Sequence, residues 1–188
     1  MAQKTFYCDP SDLEQKIEKV KQVLSPQSVH AAMSSALNRT LTFVSAETKR
    51  QVQAEYAVTK SIDKSVKKTK ATSRRLIAEA AYTDKPIPMF VFKHKVPANQ
   101  YRSPVSVLIK KSNGMRTHEG SNPALFKAYG GKKIIRRDAG QKNLHTAYTV
   151  SIPQMVANDK VYEVIAKKAE DKLSERFEHE LDWRMSKI

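Results

Sequence analysis

Residues 25–56 read SPQSVHAAMSSALNRTLTFVSAETKRQVQAEY. Ser25 before Pro26 has the form of an N-cap followed by proline at the first helical position, where the missing N–H costs nothing. From Gln27 to Tyr56 there is no Gly or Pro, and Val29, Met33, Leu37, Thr40, Val44, Val52 and Tyr56 form one stripe at helical spacing. The stretch therefore predicts a helix of about thirty residues, roughly 45 Å long. A helix of that length has surface to spare beyond a small core.

The C-terminal part carries the matching pattern. Ser151-Ile152-Pro153-Gln154 has the Ser-x-x-Gln form of a capping box, and Val161, Ile165, Ala169, Leu173, Phe177, Leu181 and Met185 recur every four residues. This second stripe needs a partner along its whole length, with Asn158-Asp159 as the point of interruption.

Between the two helices the period changes. After Tyr56, Thr59 is expected to cap a short basic helix reaching about Lys68, with only Ile62 and Val66 to bury. From Arg74 the pattern alternates, with Leu76, Ala78, Ala80 and Tyr82 on one face and Arg75, Ile77, Glu79 and Ala81 on the other, which predicts a strand. Lys85-Pro86-Ile87-Pro88 is extended and cannot donate at its prolines, so it reads as a turn or edge leading into Met89 to Phe92. Val105, Val107 and Ile109 alternate before Ser112-Asn113-Gly114, a hairpin signal. Further short strands are expected at Ala124–Ala128, Lys133–Arg137 and His145–Val150.

Working back to the start, Ser11 with Glu14 opens a possible first helix from Asp12 to Leu24, carrying Leu13, Ile17 and Val20. The whole is one α+β domain. Its parts are a peripheral helical segment over 1–24, the long helix plus a basic helix over 25–70, a central antiparallel sheet over 71–152, and a C-terminal helix from 153 to 188 packed on that sheet.

The chain has 188 residues, 40% of them hydrophobic and 28% charged, enough apolar content for a sizeable core. Its net charge is +15, from 34 Lys and Arg against 19 Asp and Glu. Two blocks hold this excess: Lys49 to Arg75 with a net +7, and Lys93 to Lys142 with a net +10. An anionic partner is the first expectation. The candidate contacts are Lys64, Lys67, Lys68, Lys70, Arg74 and Arg75 in the first block, and Lys132, Lys133, Arg136 and Arg137 in the second. A phosphate-binding surface, a docking surface for an acidic protein and a merely solvated basic face are the competing readings. Aromatics in the blocks are few, so recognition by base stacking is not expected, while contact with the DNA backbone needs only the cations.

Catalytic and metal-binding patterns are missing from the sequence. The single Cys8 excludes an internal disulfide framework or a thiolate zinc cluster. His30, His94, His118, His145 and His179 are dispersed, with no pair four apart. Gly130-Gly131-Lys132 resembles the end of a phosphate loop, but Lys133 follows where Ser or Thr is needed, and Phe126 stands at the first glycine position. No G-x-G-x-x-G or G-x-S-x-G is present. No enzyme, cofactor or metal is expected. No apolar run approaches the length of a membrane span, and the start lacks the apolar region of a secretory signal, so a soluble chain made in a cytoplasm is expected.

Four landmarks in order resemble the minor tail protein Z family of tailed bacteriophages and prophages. They are Ala36-Leu37-Asn38-Arg39-Thr40; Tyr56 with the basic segment Val58 to Lys70; Lys85-Pro86-Ile87-Pro88-Met89 before Phe92; and Ser151-Ile152-Pro153-Gln154-Met155, opening a region that ends in Glu178-His179-Glu180-Leu181. The resemblance covers about Val29 to the end. It implies a structural virion protein, a tail completion protein at the head-proximal end of the tail, beside the tail terminator, neck proteins and incoming DNA. By analogy it also implies a homomeric ring, with the bacterial cytoplasm as the place of assembly and the virion tail as the destination. A free, non-sequence-specific nucleic-acid-binding protein is the alternative.

Overall fold

The long apolar stretch forms helix α1, Pro26–Glu55, opened as expected by Ser25, whose hydroxyl accepts from the Ser28 amide at 3.3 Å. The computed structural model describes residues 24–97, 105–117, 125–128, 132–137 and 144–187; the expected helix from Asp12 lies outside them, save for Leu24. Eight short strands follow: β1 Val66–Thr69, β2 Glu79–Tyr82, β3 Lys93–Lys95, β4 Ser106–Leu108, β5 Arg116–Thr117, β6 Phe126–Ala128, β7 Lys133–Arg137 and β8 Leu144–Thr146. A five-residue helix α2, Ile152–Val156, and the long α3, Asp159–Met185, complete the order. The α+β class stands: two long helices and antiparallel strands.

The strands make three small antiparallel sheets rather than one, in the orders β1-β2, β3-β4-β5 and β6-β7-β8. Isolated bridges knit them together. After α1 the chain runs extended, with Tyr56 opposite Lys110 and Val58 opposite Phe92. The Ala57 amide donates to Ile109 and its carbonyl accepts from Lys93. Pro86 and Pro88 flank Ile87, which is fully buried and bonds in both directions: its amide donates to the Val150 carbonyl, and its own carbonyl accepts from Thr149. The proline segment thus makes an isolated antiparallel bridge with Pro88 opposite Tyr148, in which the neighbours of Pro88 carry the bonds: the Ile87 carbonyl accepts from Thr149 and the Met89 amide donates to Ala147.

Two expectations are corrected. The basic helix expected from Thr59 to Lys68 is a single short 3₁₀ turn, Asp63–Ser65, followed by strand β1. Ile62 and Val66 give a helix too little to bury. The β-branched Val58, Thr59, Ile62, Val66 and Thr69 suit extended backbone, and β2 offers a partner. The strand expected from Arg74 begins only at Glu79, although its inward face holds: Ala80 and Tyr82 are in the core and Ala78 packs against it. The Ser112-Asn113-Gly114 turn does join β4 to β5, with Gly114 at φ +67°, a conformation that favours glycine.

The C-terminal region folds as its capping box suggests, with the Gln154 side chain accepting from the Ser151 amide at 2.8 Å and the break at Asn158 separating α2 from α3. Helices α1 and α3 pack together along their length. They run antiparallel: Glu47 meets Lys168, and eight residues earlier in α1 Arg39 meets Glu180, twelve residues later in α3. In an α-helix, four residues advance the stripe by about 40°, so from Val161 to Leu181 the contact line winds roughly half-way round α3. That winding lets one stripe serve two cores. Val161, Ile165 and Ala169 join the main core with Val52, Ile62, Tyr82, Phe92, Val105, Ile134 and Met155. Leu173, Phe177 and Leu181 join a second cluster with Leu24, Val29, Ala32, Met33 and Ala36. Met185 is 39% exposed.

Candidate nucleic-acid interface

Five of the first group of candidate cations sit on the β1–β2 hairpin and its loop, and Lys64 lies in the 3₁₀ turn just before it. Register pairs Val66 with Tyr82 and Thr69 with Glu79, leaving residues 70–78 as its loop. Lys64, Lys67, Lys68, Lys70, Arg74 and Arg75 are all exposed. Strand β1 alternates, so Lys67 and Lys68 leave the ribbon on opposite sides.

The loop is pinned by its own residues and by α1. Asn38 on α1 holds Ala71 through two bonds: its Nδ2 donates to the Ala71 carbonyl at 2.9 Å, and its Oδ1 accepts the Ala71 amide at 2.8 Å. Thr72 and Arg75 exchange backbone bonds at 2.9 and 3.1 Å, and the Thr72 hydroxyl also accepts from the Arg75 amide, so Ser73 and Arg74 form the tip of a tight turn. Leu76 then packs against the second apolar cluster. Nothing in the periodicity of α1 singles out Asn38, because its role depends on a backbone segment 33 residues away. The nearest signal in the sequence was its place in the Ala36–Thr40 landmark.

The acidic residues around the hairpin are engaged elsewhere. Asp63 accepts from Lys49 at 2.7 Å, and that bond holds its carboxyl below the ordinary value. Asp84 is pulled upward by partial burial, but bonds from Lys60, the Ser65 hydroxyl and the Lys85 amide outweigh this and keep it lowered. Glu55 accepts from the Ser112 hydroxyl at 3.0 Å. Among the described residues, none of the six hairpin cations forms an ion pair with a carboxylate.

The second group lies on a different sheet. Lys132 precedes β7; Lys133, Arg136 and Arg137 are in it, with Arg136 opposite His145 and Arg137 opposite Leu144 on β8. Lys132, Lys133 and Arg136 are exposed. The structure thus divides the ten candidates between two separate places, on and around the β1–β2 hairpin and at β7 of another sheet.

The remaining charged chemistry is helix-to-helix. Glu47, buried, accepts from Lys168 and from Gln51 at 2.7 Å, bonds that lower its pKa. Glu180, also buried, meets Arg39 at 3.2 Å and Arg184 at 3.8 Å. Burial pushes up the pKa of the Tyr82 hydroxyl. Among the described residues, no three His, Cys, Asp or Glu side chains gather where they could hold a metal ion. None of the described helices is long and apolar enough to cross a membrane.

No family model, curated protein or solved structure matches the chain.

Proposed function

We propose that this protein is a structural component of a tailed-phage or prophage particle, of the minor tail protein Z kind, acting without catalysis in tail completion and head–tail joining. The observation that carries the reading is the ordered set of landmarks, together with the joints they form in this fold. Asn38 of the first landmark ties α1 to the hairpin loop. Ile87 of the third is a fully buried bridge to residues 149 and 150. Ser151 and Gln154 of the fourth cap α2, and Glu180 and Leu181 are buried against α1. Residues that set the frame are those that a family of structural proteins would keep in order. Such a protein works in the virion tail, meets other tail and neck proteins, and forms a homomeric ring, with a basic side turned toward DNA.

The test is quantitative mass spectrometry of density-purified particles from an induced lysate of the source strain. A reproducible few copies of the chain per particle is the expected result. Recovery only in the soluble host fraction, with particles otherwise complete, overturns the reading in favour of a free nucleic-acid-binding protein.

A further inference from the structure

We infer that the β1–β2 hairpin and its pinned loop form a preorganised cradle for the phosphate backbone of double-stranded DNA, with Asn38 as its positioning residue. The inference deepens the DNA-facing part of the function proposed above and rests on that reading for the choice of duplex DNA.

Charge supplies the first part of the argument. Lys64, Lys67, Lys68, Lys70, Arg74 and Arg75 are exposed within twelve residues of sequence, while Asp63, Asp84 and Glu55 are each bonded to other groups. Glu79, half-buried opposite Thr69, is the other carboxylate of the ribbon. Duplex DNA, with about one negative charge per 1.7 Å of axis, is the dense and continuous anion that such a cluster fits.

Order supplies the second part. A basic loop that must be frozen on binding loses affinity to the entropy of ordering, and a loop already fixed does not. Here Asn38 replaces a strand partner for Ala71, the Thr72–Arg75 pair closes the turn, and Leu76 anchors its far side. Lys70 and Arg75 are thereby held on either side of a tip formed by Ser73 and Arg74. The guanidinium groups of Arg74 and Arg75 suit forked contacts with phosphate oxygens. Between Lys64 and Arg75 there is no aromatic residue, so the cradle has no platform for stacking unpaired bases.

The experiment is fluorescence anisotropy of the full-length protein with a labelled duplex of about 20 base pairs, titrated between about 50 and 200 mM salt. Because Lys67 and Lys68 leave the ribbon on opposite sides, one duplex meets at most five of the six cations, and five phosphate contacts predict a loss of about 500-fold across that range. Replacing Lys67, Lys68 and Lys70 by Gln removes two contacts, Lys70 and one of the oppositely directed Lys67 and Lys68, and is expected to weaken binding about tenfold or more and to flatten the log–log salt dependence by about 1.8. Lys93→Gln, Lys95→Gln and Lys167→Gln together remove the same charge from exposed positions outside the hairpin, and are expected to leave affinity within about twofold of the parent. Asn38→Ala changes no charge. It is expected to speed exchange of the Ala71 amide and weaken binding several-fold.

Absence of binding at the lowest salt, or equal losses in the two triple variants, overturns the cradle. Faster Ala71 exchange with unchanged affinity overturns the role of Asn38. Should Asn38→Ala unfold the chain, Arg74→Gln with Arg75→Gln tests the exposed tip alone, and unchanged affinity there overturns the cradle as well. Loss of DNA binding by the hairpin variants while particles still carry the chain leaves the tail reading intact. Hairpin-dependent binding by a chain absent from particles leaves the cradle intact and removes the tail reading.

Discussion

Helix α1 lives in two different surroundings. Its second half, from Leu41 to Val52, is packed in a core to which α3, α2 and residues from all three sheets contribute. The first half, from Val29 to Ala36, meets a cluster built from α3, Leu24 and a single loop residue, Leu76. Both halves bury their apolar stripes, yet among the described residues the first rests almost wholly on one partner helix while the second is tied to many elements. Burial per residue is therefore similar in the two regions, and cooperativity is not: an opening of the helix-only end can stay local, whereas the strand-bearing end opens as a unit.

The sharpest way to break this comparison is a matched pair of truncations. Phe177→Ala and Phe92→Ala each remove a fully buried ring, at an expected cost of about 3–5 kcal/mol. Hydrogen exchange separates them. In Phe177→Ala, amides of residues 29–37 and 173–183 should exchange faster while β6–β8 stay protected; in Phe92→Ala, protection should fall throughout. A global response to both would show that the two ends are one cooperative unit.

That contrast also marks how far the sequence could be read. The helices were legible because a stripe of period near four, uninterrupted by Gly or Pro, has few other ways to be buried, and Val29, Met33, Val44, Val52 and Val161 through Leu181 are all buried. The capping box at Ser151 and the turn at Gly114 were legible because their signals lie within a few adjacent residues. The segment from Tyr56 to Thr69 was not. Its residues pair singly with Lys110 and with Phe92 and then over four residues with β2, partners spread between residues 79 and 110, and so short a set of pairings leaves no periodicity to detect. The same holds for the division into three sheets, which depends on which short strands meet. At the candidate site, the exposure of the hairpin cations was legible from charge, whereas the Asn38 tether and the carboxylates drawn off by Lys49 and Lys60 exist only in three dimensions.

A second test addresses the ion pair bridging the helices at the junction of the two regions. The folded pKa of Glu47 is lowered by Lys168 and Gln51, so its contribution is present above the ordinary glutamate pKa and is lost as pH falls through the lower folded value. Urea unfolding should therefore show stability declining below about pH 4, and Glu47→Gln should flatten that decline. Because Lys168 is about half exposed and regains water when its partner is lost, the cost at neutral pH is expected to be about 1–2 kcal/mol.

Ser151→Ala removes the cap of α2 on the strand-bearing side, at an expected cost of about 1 kcal/mol, read as a lower denaturant midpoint with an unchanged slope. The smallest effect is expected at the hairpin surface. Replacing Lys67, Lys68 and Lys70 by Gln touches no core residue and should change stability by about 0.5 kcal/mol or less. A large fall in melting temperature there would make these lysines part of the frame.

The antiparallel pairing of α1 and α3 has a mechanical consequence. Pro26 begins α1 and Met185 ends α3 at the same pole, the one sealed by Leu24, Phe177 and Leu181. A load applied between these two points peels the helices apart in zipper geometry, one turn after another, instead of shearing their full length at once. The helix-only end yields first and at low force. The strand-bearing body, entered last, acts as the stop.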